Sequence, residues 1–261
     1  DLDPLRFRAP TVFSSIAAVV AQAQGATLVP VRDRFVDASP NGLIGGTLLL
    51  EHVHPNLDGY FLLADAFFDA MIARGLPGTP EVELDAAQAR AEMPVTDIDR
   101  WLGEYKLLRI KSAWPFSTAG NAPVLPPPAT DGERLAQAVY REELSWPEAQ
   151  DQLRAAHRAA GNEAEYARTT LVLADAFPFA AQVQFEAAAA LVAAGRPADG
   201  WRYAARALEL APNDVNSLLV GAHASFLTGQ RERGRQLLQR VLALEPGNET
   251  ARRVLQEMQA G

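Results

Sequence analysis

Two of the chain's four histidines stand beside a glutamate in the run Glu51-His52-Val53-His54-Pro55-Asn56. A carboxylate three residues before an imidazole can accept from its Nδ1–H. That contact fixes the ring's tautomer and leaves Nε2 to take a proton. Such a pair activates a hydroxyl, because a serine attacks poorly until a base removes its proton. Glu51 and His54 are therefore candidates for acid–base chemistry. Two other chemistries compete for these residues. Glu51, His52 and His54 could ligate a metal, since i and i+2 side chains of an extended segment share a face. No further ligands gather near them, as His157 and His223 lie in the C-terminal half, so neither a metal nor another cofactor is expected. His54 could also do no more than hydrogen-bond the start of a helix. Without cysteine the chain has no thiolate nucleophile, disulfide or zinc–thiolate site.

The elements around this run belong to residues 1–75. Phe13, Ile16, Ala17 and Val20 recur at helical spacing between Pro10 and Gly25, which predicts a helix. The run Ala26–Phe35 reads as a short β-type segment, and Pro30 within it makes that an edge strand. A Gly- and Pro-containing loop leads through Leu48, Leu49 and Leu50 to the Glu51–Asn56 run. Asn56 can cap the helix that follows. In that helix Leu57, Tyr60, Phe61, Ala64, Phe67, Phe68, Met71 and Ile72 form a broad apolar face, which ends at Gly75 and Pro77. Helix, edge strand, loop, helix is the tail of an open α/β sheet rather than a whole domain. Its apolar faces should stay uncovered unless more chain is added.

The segment 48–67, "LLLEHVHPNLDGYFLLADAF", resembles the last motif block of SGNH/GDSL-type hydrolases. In that superfamily an acid precedes the His by three residues, and Pro and a helix follow. The resemblance covers about residues 1–75. It implies a flavodoxin-like α/β fold, with His54 as general base for a serine and Glu51 as its acid. The family usually carries Asp where Glu51 stands, and the extra methylene moves the carboxylate by about 1.5 Å. The resemblance also implies a Gly-Asp-Ser nucleophile block and separate Gly and Asn oxyanion blocks, and none of the three occurs here. Ser14 and Ser15 fall in a predicted helix, Ser39 precedes Pro40, and there is no G-x-S-x-G elbow. The chain also opens at Asp1 without Met, so it reads as a piece of a longer protein. The expectation is a hydrolase fragment that is inactive on its own, with an O-acyl ester on a carbohydrate or lipid as the parent's substrate. The alternative is a non-catalytic interaction protein whose N-terminal part is a structural cap.

The C-terminal half repeats. Pro178, Pro212 and Pro246 are 34 residues apart, as are Gly161, Gly195 and Gly229. A fixed period of this length marks a helical array. In one repeat Val183, Ala187, Leu191 and Val192 line the first helix, and Trp201, Ala204, Ala205 and Leu208 line the second. Small residues such as Ala188, Ala207 and Ala222 permit close helix approach. The mid-repeat Gly and closing Pro resemble the tetratricopeptide (TPR) family. Repeats are set at 147–180, 181–214 and 215–248, with Tyr166 and Thr170 replacing small residues in the first, and a capping helix at 249–259. The resemblance implies a concave face carrying Gln182, Phe185, Ala189, Asn216, Leu219, His223 and Phe226, open to a protein or peptide. It lacks the Lys and Asn cluster of carboxylate-clamping relatives. The bland alternative is a spacer.

Between the halves, 76–146 reads as a helical connector. Helices are predicted in 80–94 and from Thr96, the latter with a stripe of Ile98, Trp101, Leu102, Tyr105 and Leu108 that packs into a core. A Pro-rich extended stretch at 117–132 and a helix at 133–146 follow. The fold expected for the whole is mainly α, with an incomplete α/β remnant before a TPR solenoid. In 261 residues, 24 Lys and Arg against 32 Asp and Glu give a formal charge of −8. This balance argues against a nucleic-acid partner, which needs a concentrated basic face. No run of about 18 apolar residues offers a transmembrane helix. The compartment stays open.

Overall fold

A computed structural model describes residues 9–76, 85–118 and 122–260, with side chains through Glu257. The described residues are mainly helical, with thirteen α-helices and one short 3-10 turn. They divide into two compact units, one up to Met93 and one from Pro94. Among the described residues no helix is long and apolar enough to cross a membrane.

The first unit contains α1 (Thr11–Gln24), α2 (Val31–Asp37), a 3-10 turn (Pro40–Gly42), α3 (Leu57–Ala73) and α4 (Ala86–Ala91). Gly25 ends α1 in the left-handed conformation, which a residue without Cβ adopts at no steric cost. The edge strand expected over 26–35 is not formed. Its second half is helix α2, entered through Pro30. Two local causes favour the helix. A strand needs a neighbour for its backbone groups, whereas a helix satisfies its own. Arg34, once helical, pairs with Asp65 and Asp69 of α3, and Phe35 drops into a buried cluster with Leu48 and Leu49. No β-strand occurs among the described residues, and the extended pairing there is a single antiparallel bridge, Leu49 to Pro55. The expected α/β remnant of flavodoxin-like type is thus absent from the described residues. The core of this unit is small: Val31, Ile44, Leu62 and Leu63 surround the three buried residues. Helix α1 buries none of its residues. Val12, Phe13, Ile16, Val19 and Val20 are each more than half exposed, and Tyr60, Phe67 and Met71 of α3 are nearly so.

The second unit begins with α5 (Asp97–Lys111) and α6 (Asp131–Tyr140). Thr96 and Asp99 cap α5 reciprocally, satisfying two of the four free N–H groups that every helix start presents. Ile98 and Tyr105 are buried and Trp101 and Leu102 pack beside them, against Leu135, Ala136, Ala149 and Leu153. Leu108 instead faces outward, 40% exposed, while Leu107 is buried outside this cluster. Of the predicted 80–94 helix, the described part is α4, and residues 77–84 lie outside the described residues, as do 119–121 of the Pro-rich stretch. Residues 122–129 form no helix or strand, and Pro126 is fixed by Gln137 Nε2, which donates to its carbonyl at 2.7 Å.

Seven helices follow: α7 (Trp146–Ala159), α8 (Glu163–Ala176), α9 (Ala181–Ala193), α10 (Pro197–Leu210), α11 (Val215–Leu227), α12 (Arg231–Leu244) and α13 (Glu249–Ala260). Each consecutive pair from α5 to α13 is in contact, and α9 also meets α11. Starts of α9 and α11, and of α10 and α12, are separated by the same 34 residues, the geometry of a helical repeat array. Gly161, Gly195 and Gly229 sit at positive φ, near 70°, where the chain turns between paired helices. The closing prolines do more than stop a helix. Arg206 Nε donates to the Pro178 carbonyl at 3.1 Å and Arg240 repeats the bond to Pro212 one period later.

Candidate functional site

The Glu51–His54 run sits at the tip of a loop that its own backbone closes. Leu48 and Leu49 donate to the Gly45 carbonyl, Leu50 donates to that of His54 at 2.8 Å, and Asn56 donates to that of Leu48 at 2.9 Å. Asn56 then caps α3, its Oδ1 accepting from Gly59 N–H at 3.0 Å while its amide donates to Thr47 O. Buried Leu48 and Leu49 anchor one arm. Gly59 lets α3 press against the other: a Cβ there would lie 2.2 Å from the Leu48 carbonyl oxygen and 2.9 Å from Pro55 Cβ. This glycine was missed in the sequence reading. A Gly inside an apolar helix is itself the signal of such a close approach.

At the tip, Glu51 folds back on its own loop. Its Oε1 accepts from His54 N–H at 3.0 Å and contacts His54 Nδ1. Its Oε2 accepts from Val53 N–H at 2.9 Å and lies 2.7 Å from His52 Nδ1. The Glu51 side chain is 3% exposed, against 66% for His54. Burial pushes the Glu51 carboxyl up, but the His54 ring, the His54 and Val53 N–H groups and the nearby imidazole charge outweigh it and bring it down to about 2. Glu51 is therefore ionised at neutral pH. With Nδ1 turned to the carboxylate, the free atom of the His54 ring is Nε2.

This arrangement can brace an imidazolium and pass a proton through an exposed nitrogen. It supplies no nucleophile. Among the described residues the His54 ring bonds to Glu51 alone. Ser39 donates to the Phe35 carbonyl at 2.7 Å, and Ser14 and Ser15 are exposed on α1. The open α/β sheet expected around the pair is not formed among the described residues, and a loop-to-helix turn carries the pair instead. The His54 ring directs Nδ1 at Glu51, and among the described residues no three His, Cys, Asp or Glu side chains are grouped to hold a metal.

A second feature lies in the array. Helices α9, α11, α12 and α13 enclose an open cavity of about 600 Å³. It gathers Phe185, Ala189, Asn216, Leu219, His223 and Phe226, six of the seven residues assigned to a concave face. Gln182 is not among them and bonds Glu186. Thr250, Arg253 and Val254 of α13 add a wall that the repeat period did not foretell, because α13 lies beyond the last full repeat.

No protein-family model matches the chain, and no curated protein matches it significantly.

Proposed function

We propose that residues 1–75 carry the acid–base half of a serine ester hydrolase of the SGNH/GDSL type, joined to a TPR-type binding array. The carrying observation is the Glu51–His54 contact, with Nδ1 held and Nε2 exposed. The uncovered apolar faces of α1 and α3 support it, since helices that flank a sheet present such faces to it. His54 Nε2 takes the proton of a serine hydroxyl as its Oγ bonds to the acyl carbon of an O-acyl ester. Glu51 stabilises the imidazolium. His54 then returns the proton to the departing alkoxide, and water, deprotonated by the same nitrogen, cleaves the acyl-enzyme. The serine and the oxyanion donors come from outside this chain. A fluorophosphonate probe tests this on the longer polypeptide: one upstream serine is labelled, and His54→Ala cuts labelling and p-nitrophenyl ester turnover by about 10³-fold or more. The 261-residue chain gives no His54-dependent turnover. Such turnover in the chain alone, or undiminished labelling of the His54→Ala polypeptide, overturns the reading.

The cavity favours a second reading for the array. It acts as a peptide groove, taking apolar side chains against Phe185, Leu219 and Phe226. Peptides selected from a displayed library on the purified chain should lose about tenfold affinity on Phe226→Ala. Selection that enriches nothing over a Leu219→Glu control leaves the array a spacer.

A further inference from the structure

We infer that Asn56 is a positioning residue, one whose side-chain amide does more than cap α3: it clamps the loop that presents Glu51 and His54. The catalytic meaning of this rests on the acid–base reading above, but the contacts stand by themselves. The pair sits at a loop tip whose arms share two backbone bonds, from Leu50 N–H to the His54 carbonyl and from Asn56 N–H to that of Leu48. So short a ladder opens readily when nothing else supports it. The Asn56 side chain supplies the support. Its Nδ2 donates to the Thr47 carbonyl at 3.0 Å and lies 3.4 Å from that of Gly46, both on the arm that climbs to the tip. Its Oδ1 accepts from Gly59 N–H at 3.0 Å, in the first turn of α3. These partners fix which end of the amide is which, since a carbonyl needs a donor and an N–H needs an acceptor. The amide is flat and rigid, so holding one end on α3 holds the other on the arm. A cap by itself does not call for asparagine, because Ser, Thr and Asp serve as well or nearly so. The double bond does call for it. Asp has no donor, and Ser and Thr would have to accept and donate with one oxygen on a shorter side chain. The clamp thus fixes the tip, and with it the exposed Nε2 of His54, relative to α3.

The test separates the clamp from the cap on the 261-residue chain and needs neither serine nor substrate. Asn56→Ser and Asn56→Asp keep an acceptor for Gly59 N–H and lose the donor to Thr47, whereas Asn56→Ala loses both. Long-range proton–nitrogen spectra of the ¹⁵N-labelled chain, taken at a pH where the rings are neutral, report which nitrogen of His54 carries the proton. Amide exchange along α3 reports the cap. The unsubstituted chain should hold His54 chiefly as the Nδ1–H tautomer. Asn56→Ser and Asn56→Asp should lower the Nδ1–H to Nε2–H ratio by about threefold or more, to the level of Asn56→Ala, while exchange along α3 stays as it was. A residue that merely caps predicts another pattern, in which Asn56→Ser and Asn56→Asp keep the ratio and only Asn56→Ala loses it, together with α3 protection. That pattern overturns the inference. So does a ratio unchanged in all three variants, or a loss confined to Asn56→Asp, whose added charge would then be the cause. Should every substitution loosen α3, the unsubstituted chain decides. There one Asn56 Nδ2 proton should exchange about threefold slower, or more, than those of the exposed Asn213, and equal exchange overturns the inference. Failure of the hydrolase reading shows elsewhere, in an unlabelled upstream serine, and leaves these spectra as they are.

Discussion

At the scale of single residues, the acid side of the pair is the most constrained group in the first unit. A carboxylate almost shut off from water titrates high unless donors surround it. Glu51 has the ring and two backbone N–H groups against it, and its carboxyl falls to about 2. The sign of the resulting pH dependence follows. The folded value lies below the unfolded one, so the stabilisation is complete above about pH 4.5 and is lost as pH falls towards 2. Carbon-detected titration should place the Glu51 midpoint near 2, with exposed glutamates near 4.3. Amide protection at Val53 and His54 should survive at pH 4. A Glu51 midpoint of 4 or above would show that the fold-back is not populated. The Glu51–His54 pairing was legible from spacing alone, because three residues of a tight turn bring a carboxylate to an imidazole. The contacts of Oε2 were not, since they depend on how the loop closes, and closure rests on the mutual approach of Leu48, Leu49 and Gly59, which no spacing along the chain reveals.

Elements show where local pattern suffices and where partners decide. Helix α1 and its Gly25 stop, the Asn56 cap of α3 and the Thr96 start of α5 follow from residues within one turn of each boundary. The 26–35 strand failed because β-type composition without a neighbouring strand has nothing to pair with, while Arg34 and Phe35 find partners on a helix. Leu108 continues the spacing of the Ile98–Tyr105 stripe yet stays exposed, because only the position of α6 and α7 decides how far along α5 the core extends. Glycines let the same logic be tested by sign. A Cβ at Gly59 meets the rigid Leu48 carbonyl, so Gly59→Ala should cost about 2–3 kcal/mol and shift the His54 resonances. At Gly234 a Cβ meets the Phe226 ring at 2.3 Å, and Gly234→Ala should also destabilise, reshaping the cavity. Gly103, within α5, has nothing within 4 Å of a built Cβ. Gly103→Ala should therefore raise stability by about 0.5–1 kcal/mol, through helix propensity and a less flexible unfolded chain. Urea melts of the three variants check all three signs, and a destabilising Gly103→Ala would show that α5 is more crowded there than its neighbours indicate.

At the scale of the whole molecule the two units differ in how much they bury. The second unit has a run of fully buried side chains, among them Leu135, Leu191, Leu218 and Val241, while the first unit gathers its core around Phe35, Leu48 and Leu49. Burial drives stability, so the first unit should open at lower denaturant and the chain should not melt as one transition. The sequence supplies a clean probe. All four tryptophans, Trp101, Trp114, Trp146 and Trp201, fall after residue 94, so tryptophan fluorescence follows the second unit and far-ultraviolet dichroism follows both. The two curves should not coincide, with dichroism falling first. The same difference in burial gives the bare face of α1 its meaning. Val12, Phe13, Ile16, Val19 and Val20 are exposed together on one helix, and contiguous apolar surface of this kind marks a contact surface. Replacing Ile16 and Val19 by Glu should change the early transition by no more than about 0.5 kcal/mol, since exposed side chains contribute little to the fold, and should weaken the binding of a hydrophobic dye. In the longer polypeptide, where the hydrolase reading sets this face against a sheet, the same double variant should cost several kcal/mol, because it would bury two unpaired carboxylates. A large loss in the short chain would mean that α1 is already packed there. Equal indifference in both would mean that no sheet ever covers it.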